Sequence, residues 1–328
     1  MTIQWNELKS LLETHQRFLL TSHVRPDCDA LGSELGLAGI LEAMGKQVTI
    51  LNADPTPPHL AFIDPECRIQ SLSDDQASTN LNAYDAIIVL DTSAWNQLGG
   101  VGELLRTVEI PIIVIDHHAT AEELGTAVFK DATAEATGRL VADLADFLRV
   151  PITKEMAMPL FAAVATDTGW YRVPSTSGDT YRAAARLVDA GAEPSIIFRE
   201  LYEQDSIARV RLRGLALARV VTELDGRLAH TYVRADDFTD TGAFPGDTED
   251  FINMALAVAG TQAAVIMIER PEGQVKASFR SRSGLDCSRI AASFGGGGHK
   301  AAAGATLEGP FERAQAEVLE AMRREIEG

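Results

Sequence analysis

The stretch Ile112-Ile113-Val114-Ile115-Asp116-His117-His118 decides the fold class of this 328-residue chain. Its four β-branched apolar residues are typical of a buried strand in a parallel sheet. In an open α/β sheet, ligands bind beyond the carboxyl ends of the strands. We therefore expect the Asp-His-His triplet to lie where such a fold binds its ligands, although one triplet alone is equally compatible with a polar turn after a strand.

Strands and helices alternate around this stretch in the first half of the chain. Strands are predicted at 17–22, 48–51 and 86–90, and helices at 29–44, 137–148, 153–166 and 177–190. Strands that are separated by helices predict βαβ units. The fold class that we expect is therefore α/β, with a doubly wound, mainly parallel sheet in the N-terminal domain.

The second half of the chain has a different arrangement. Strands are predicted at 228–233, 264–268 and 274–280, and helices at 248–258, 286–294 and 311–326. We expect a catalytic domain at 1–190, a helical linker at 191–221, and a smaller α/β domain at 222–328. A cleft between the two domains is part of this prediction.

Composition and charge exclude several function classes. The formal net charge is −18, whereas a protein that holds long nucleic acid usually carries a basic surface. A short anionic substrate fits if metal ions or a small basic pocket supply positive charge locally.

No apolar run is long enough to span a bilayer, and the chain begins without a signal-peptide pattern. The three cysteines form no CxxC pair, so we expect a cytoplasmic protein that binds neither membrane nor long nucleic acid.

Side chains that bind hard metal ions occur at the ends of three predicted strands and at the end of one predicted helix. They are His23, Asp27, Asp29, Asp91, Asp116, His117, His118 and Asp167. Any one of them could instead be a helix cap, an Asx-turn or a hydrogen-bonded histidine. Their recurrence at four separate places in the chain favours one shared site.

The ligand types indicate the chemistry of that site. Mixed carboxylate and imidazole ligands without thiolates favour Mn²⁺ or similar ions over structural zinc. Two such ions, about 3.5–4 Å apart, are a common means of hydrolysing phosphate esters. One carboxylate must then bridge the two ions, and Asp91, alone at a strand tip, suits that role.

A basic, glycine-rich segment of the second half is another candidate site. Between residues 271 and 304 there are five basic residues and two acidic ones, and four consecutive glycines precede a histidine. Glycine lets backbone N–H groups form a concave nest around an anion, although four glycines alone would indicate a flexible loop. A predicted strand carries a serine and two arginines on one face, as a phosphate clamp requires. The candidate substrate-binding residues are Ser278, Arg280, Arg282, Gly296, Gly297, Gly298 and His299.

These motifs resemble those of the DHH phosphoesterase superfamily. In the first half the resemblance lies in the pattern His23-x-x-x-Asp27-x-Asp29, then Asp91, then Asp116-His117-His118, then Asp167. The second half, with Lys276-Ala277-Ser278-Phe279-Arg280-Ser281-Arg282 and the segment Phe294–Gly304, resembles the DHH-associated domain. At this length the chain is similar to the branch of bacterial nanoRNases that are also 3′-phosphoadenosine-5′-phosphate phosphatases.

The resemblance implies a role for each residue of the first half. His23 and Asp27 would bind the first ion, and Asp91 would bridge to the second. The other ligands of the second ion would be Asp29, His117 and Asp167. Asp116 would orient a histidine, as ligating histidines usually require. His118 would face the substrate phosphate or its leaving group.

The resemblance also implies the reaction. We expect hydrolysis of short oligonucleotides to 5′-mononucleotides and of 3′-phosphoadenosine 5′-phosphate, a 3′,5′-bisphosphonucleotide, to AMP, with two divalent ions, Mn²⁺ above all. One alternative is a linear or cyclic dinucleotide phosphodiesterase that uses the same metals. Another is a nucleotide-binding sensor with an inactive metal site, which the presence of every expected ligand argues against. A homodimer is compatible with these features.

Overall fold

The computed structural model describes residues 3–72, 80–119, 122–270, 273–282 and 284–327. The chain divides into two compact units, Met1–Gln204 and Asp205–Gly328. Among the helices in the described ranges, none is long and apolar enough to cross a membrane.

Six strands form one sheet in the first unit. They are β1 (Arg17–Thr21), β2 (Gln47–Asn52), β3 (Ile69–Ser71), β4 (Ala86–Leu90), β5 (Ile112–Asp116) and β6 (Ala127–Lys130). Their order in the sheet is β3-β2-β1-β4-β5-β6, and every neighbouring pair is parallel. The strand order therefore reverses between β1 and β4, which is the place where open α/β sheets bind ligands.

Helices cover both faces of this sheet. They are α1 (Trp5–Thr14), α2 (Cys28–Ala43), α3 (Gly99–Leu105), α4 (Thr137–Leu148), α5 (Lys154–Asp167), α6 (Gly178–Asp189) and α7 (Pro194–Tyr202). Successive strand residues point to opposite faces. Ile88 joins the core that contains α2, α4 and α5, whereas Ile87 joins the core that contains α3. The prediction of an α/β fold with a doubly wound parallel sheet is confirmed.

The close approach of α2 to α5 places the start of one helix beside the end of the other. Glycines of α2 face α5, and a Cβ atom on Gly32 would lie 2.3 Å from the carbonyl oxygen of Pro159. At Gly36 the added atom would lie 2.4 Å from Leu160 Cδ2. This packing brings Asp29, in the first turn of α2, near Asp167, the last residue of α5.

Substituting Gly32→Ala should destabilise the first unit, by about 1–3 kcal/mol, because the backbone of α5 must move to admit the methyl group. All three tryptophans, Trp5, Trp95 and Trp170, lie in this unit, so urea unfolding followed by tryptophan fluorescence reports on it. Gly178→Ala, in the same unit, is the matched control, because an added Cβ there meets only the end of the Arg182 side chain, at 3.4 Å. An unchanged transition in Gly32→Ala would contradict this account of the packing.

Six strands also form the sheet of the second unit. They are β7 (Val221–Glu223), β8 (Leu228–Val233), β9 (Ala263–Glu269), β10 (Gln274–Ser281), β11 (Gly297–His299) and β12 (Ala302–Glu308). Their order is β11-β12-β10-β9-β8-β7, with β8 and β9 parallel and the other pairs antiparallel. The helices are α8 (Ile207–Ala218), α9 (Ala235–Thr241), α10 (Phe251–Leu256), α11 (Cys287–Ser293) and α12 (Phe311–Glu327). One face of the sheet packs on α11 and α12, and α8 to α10 pack on the other.

Two sequence-based expectations for this unit are wrong in part. The helix predicted at 248–258 is only α10, because Asp250 adopts a left-handed conformation, φ 67°, directly before it. The anion nest that was predicted for the four consecutive glycines is wrong for part of them, since Gly297–His299 forms the edge strand β11. Close pairing with β12 explains the glycines, because a Cβ on Gly296 would lie 2.2 Å from the carbonyl oxygen of Gly304.

Several strands and helices were not predicted from the sequence. They are β3, β6, β7, β11, β12, α1, α3 and α9. Four of these strands have three or four residues, too few to show a hydrophobic period. The sequence of β12, Ala302-Ala303-Gly304-Ala305-Thr306-Leu307-Glu308, is rich in residues with low β propensity. Its conformation results from pairing with β10 along seven residues.

Candidate metal centre

The carboxyl ends of three adjacent strands converge at one point of the first unit. His23 follows β1 by two residues, Asp91 follows β4 directly, and His117 follows β5 directly. Because β4 lies between β1 and β5 in the sheet, Asp91 stands between the two histidines. Chain segments that are far apart in sequence thus contribute to one cluster at the reversal of strand order.

Asp91 is the central carboxylate of the cluster. It is buried and held in the left-handed region at φ 61°. Its Oδ2 lies 3.4 Å from Nε2 of His23, and its Oδ1 lies 3.5 Å from Nε2 of His117. The two oxygens of one carboxylate therefore face two different groups of potential ligands, which is the arrangement that a bridging ligand needs.

The first group consists of His23, Asp27 and Asp91. Nδ1 of His23 lies 2.9 Å from the carbonyl oxygen of Val24. A carbonyl can only accept, so Nδ1 carries the proton and Nε2 keeps its lone pair for a metal. Oδ1 of Asp27 accepts hydrogen bonds from the backbone N–H groups of Asp29 and Ala30, so Asp27 also caps α2.

The second group consists of Asp29, His117 and Asp167. Nε2 of His117 lies 3.8 Å from Asp29 Oδ2 and 3.5 Å from Asp167 Oδ2. Nδ1 of His117 faces the carbonyl oxygen of Ala134 at 3.3 Å, which again leaves Nε2 for a metal. All the ligand residues predicted from the sequence thus lie in one of the two groups.

Thr137 orients two of these carboxylates, and nothing in the sequence pointed to it. Its backbone N–H donates to Asp29 Oδ2 at 2.7 Å, and its hydroxyl donates to Asp91 Oδ1 at 2.9 Å. The N–H of Gly138 donates to Asp29 Oδ1 at 2.8 Å. The amino end of α4, which favours anions, therefore fixes Asp29.

Burial and mutual repulsion disfavour the charged forms of the central carboxylates. Burial and the neighbouring Asp29 raise the pKa of Asp91 well above its usual value, and burial likewise raises the pKa of Asp29. Burial and Asp29 raise the pKa of Asp167 to about 7. Within the described ranges, the basic side chains within 4.0 Å of these three carboxylates are those of histidines. Three carboxylates gathered around two free Nε2 atoms fit two divalent cations, which would supply the missing positive charge.

Asp116 and His118 form a hydrogen-bonded cluster beside the ligands, and His118 also makes a third possible ligand group with Asp91 and His117. Oδ1 of Asp116 accepts from the His118 backbone N–H at 3.0 Å and lies 2.8 Å from His118 Nδ1. On its other side, Lys130 Nζ donates to Asp116 Oδ2 at 2.8 Å, and the Ser93 hydroxyl also donates to this oxygen. Lys130 and Ser93 were not expected from the sequence, because they meet Asp116 only in the folded sheet.

The charges in this second cluster are set by its hydrogen bonds. Burial alone would raise the pKa of Asp116, but the bonds from His118, Lys130 and Ser93 hold it well below its usual value. The hydrogen bond to Asp116 raises the pKa of His118. Because its pKa is raised, this imidazole is positively charged more readily than a free one. The His118 side chain is 50% exposed, so it is accessible to a substrate.

The candidate residues of the second unit lie on the exposed part of its sheet. Ser278 and Arg280 line a cavity of about 450 Å³ together with Lys276, on the same face of β10. Glu249 and Asp250 line this cavity as well. Arg282 follows the end of β10, and His299 is exposed on β11.

Comparisons with known proteins agree with this architecture. Residues 17–164 match the DHH family, N-terminal domain, and residues 225–328 match the DHHA1 domain. The bifunctional oligoribonuclease and PAP phosphatase NrnA of Thermus thermophilus is 35% identical over 94% of this chain and 89% of that protein. The cyclic-di-AMP phosphodiesterase GdpP of Geobacillus thermodenitrificans is 26% identical over 98% of this chain but 49% of that protein. The crystal structure of an exopolyphosphatase-related protein from Bacteroides fragilis has a TM-score of 0.86, 26% identity, and coverage of 98% of this chain and 95% of that one.

Proposed function

The chain belongs to the DHH family and is a hydrolase of phosphoester bonds, and from this premise we propose that it hydrolyses short oligonucleotides to 5′-mononucleotides and 3′-phosphoadenosine 5′-phosphate to AMP. The resemblance to the DHH superfamily with its associated domain is confirmed. The substrate assignment is supported by the NrnA relative, which is named as an oligoribonuclease and PAP phosphatase.

The observation that carries the proposal is the placement of the two oxygens of Asp91. Oδ2 faces His23, and Oδ1 faces His117. We assign the first ion to His23, Asp27 and Asp91, and the second ion to Asp29, His117, Asp167 and Asp91. Two divalent ions, Mn²⁺ in our proposal, would activate the attacking water and neutralise charge on the phosphoryl oxygens.

His118 acts as a proton donor in this proposal. Nδ1 of His118 donates to Asp116, and in the protonated ring Nε2 carries a second proton, which can be given to the phosphoryl or leaving oxygen. Because the pKa of His118 is raised, the ring is protonated at neutral pH more often than a free imidazole. Lys130 and Ser93 both donate to Asp116, keep it ionised and in place, and thereby act through His118.

We propose that the second unit binds the rest of the nucleotide. Arginine binds phosphate through paired N–H groups, and Ser278 stands beside Arg280 in the cavity of the exposed sheet face. The exposed side chains of Arg282 and His299, with the glycine segment at Gly296, Gly297 and Gly298, complete the proposed substrate-binding set.

Substrate length is the test of this proposal. The chain carries a net charge of −18, so phosphates beyond the basic segment meet repulsion, and we expect a steep preference for oligonucleotides of about two to five residues. The measurement is the initial rate on a series from dinucleotide to long single strand. Similar rates along the whole series would contradict the proposal.

Two variants separate binding from chemistry in the same series. Arg280→Ala and His299→Ala should raise KM for dinucleotides and leave Mn²⁺ binding unchanged. Their effect should be smaller on bis-p-nitrophenyl phosphate, a small diester that does not extend to the basic segment. Equal losses on the small diester would show that these residues act at the metal centre instead.

A second candidate function has support in one comparison. The similarity to the cyclic-di-AMP phosphodiesterase GdpP covers nearly the whole of this chain. Rates on cyclic di-AMP, on its linear form and on a bisphosphonucleotide, measured side by side, rank the two candidates. Absence of Mn²⁺-dependent hydrolysis of all three would instead favour the nucleotide-binding sensor.

A further inference from the structure

A buried polar pair, Glu34 and Asn52, lies behind the metal centre, and neither residue belongs to the ligand groups. Glu34 is on α2 and Asn52 is the last residue of β2, and both are 0% exposed. Nδ2 of Asn52 donates a hydrogen bond to Oε2 of Glu34 at 2.9 Å. The surrounding residues of α2 are almost all apolar, so a buried polar pair at this position indicates a functional role.

The other end of Asn52 holds the backbone that leads into His23. Oδ1 of Asn52 accepts from the backbone N–H of Ser22 at 3.0 Å, and the hydroxyl of Thr21 donates to it at 3.4 Å. The paired residues of β1 and β2 end at Leu20 and Ile50. On the β2 side, the Asn52 side chain therefore continues the support of the β1 backbone beyond the last residue pair with β2, up to the residue before His23.

Glu34 and Ser22 together determine which way the Asn52 amide points. The Ser22 N–H can only donate, so Oδ1 of Asn52 must face it, and Nδ2 then faces Glu34. Oε2 of Glu34 accepts from Nδ2 whether or not the other carboxyl oxygen carries a proton. Without this acceptor, the amide would be held from the Ser22 end alone.

The pair is retained at a cost to stability. Burial raises the pKa of the Glu34 carboxyl to about 8, although hydrogen bonds from the side chains of Asn52 and Ser22 act to lower it. Its Oε1 has no hydrogen-bond partner in the described part of the chain. A buried polar atom without a partner is destabilising, and apolar side chains of similar size at both positions would avoid this loss.

We propose that Glu34 and Asn52 are positioning residues for one ion of the metal centre. Glu34 orients the amide of Asn52, Asn52 anchors the Ser22 peptide, and His23 is thereby held with Nε2 toward Asp91. This inference rests on the proposed two-ion site. In this inference the pair increases the affinity of the ion bound by His23 and does not affect the affinity of the other ion.

The experiment is a calorimetric Mn²⁺ titration of the full-length wild type and four variants. Glu34→Leu and Asn52→Leu should each weaken one ion by about 10–100-fold, as removal of a residue that supports a metal ligand does. The second ion should keep its affinity. His23→Ala identifies the affected ion, because it should leave the same single tight site. Glu34→Gln is the conservative control, since its amide oxygen still accepts from Asn52 and both affinities should be retained.

Thermal unfolding of the metal-free proteins separates positioning from folding. Glu34→Leu leaves the buried Nδ2 of Asn52 without an acceptor, so its Tm should fall, but the metal-free variant should still be folded at the temperature of the titration, where its affinity for one ion is reduced. Equal weakening of both ions, or unchanged binding in both leucine variants, would overturn the inference. If Asn52→Leu does not fold, the Mn²⁺ titration of Glu34→Leu alone tests the inference. A wild-type chain that fails to bind two ions would contradict the proposed metal centre instead.

Discussion

Replacing Asp91 with alanine should release both ions from the metal centre and reduce hydrolysis by more than about 10³-fold, since the charge stabilisation of the transition state is lost. The reason is geometric. One oxygen of Asp91 faces His23 and the other faces His117, so the substitution removes a ligand from each ion at once. Metal content after gel filtration and turnover on a dinucleotide are the two measurements.

His118→Ala is the matched comparison for this prediction. Nδ1 of His118 is engaged by Asp116, so its loss should leave two ions bound. Turnover should fall by about 10²–10⁴-fold if the residue donates a proton in the reaction. If Asp91→Ala retains two ions, the bridging assignment is wrong, and if His118→Ala loses an ion, His118 is a ligand.

Removal of divalent metal is the second change with a large expected effect. Dialysis against a chelator should abolish activity, because the buried carboxylates and histidines around Asp91 would lack the charge that activates water. Mn²⁺ should restore more activity than Mg²⁺, which demands strict octahedral oxygen geometry and suits imidazole ligands poorly. Full turnover by metal-free protein would contradict the two-metal proposal.

Stability gives an independent measure of the same metal binding. Ions that bind the folded chain alone stabilise it by about 2.7 kcal/mol at a concentration 100 times Kd. The Tm should therefore rise with added Mn²⁺ in the wild type and stay nearly constant in Asp91→Ala. An equal rise in both proteins would place the ion somewhere other than this cluster.

Local sequence signals predicted the elements that carry the site. The β-branched runs ending at Leu90 and at Asp116 became strands with every residue buried. The amphipathic pattern at 137–148 became α4 with these bounds. Such elements are predictable because burial of a continuous apolar run or face is imposed by the residues of the segment itself.

The second unit shows where local signals fail. β12 contains three alanines and a glycine and becomes a strand through pairing with β10. The glycines before His299 resembled an anion nest, yet part of the run is an edge strand. In both cases a neighbour distant in sequence decided the conformation, which overrides weak propensity.

By itself the sequence determined the residue types of the candidate metal centre and placed them at the ends of predicted strands and of one predicted helix. It could not determine which atoms face each other. Thr137 reaches Asp29 across 108 residues, and Lys130 reaches Asp116 from the neighbouring strand. The close packing of α2 on α5 and the strand order of the sheet decided these contacts. They depend on long-range packing, which no local pattern of residues encodes.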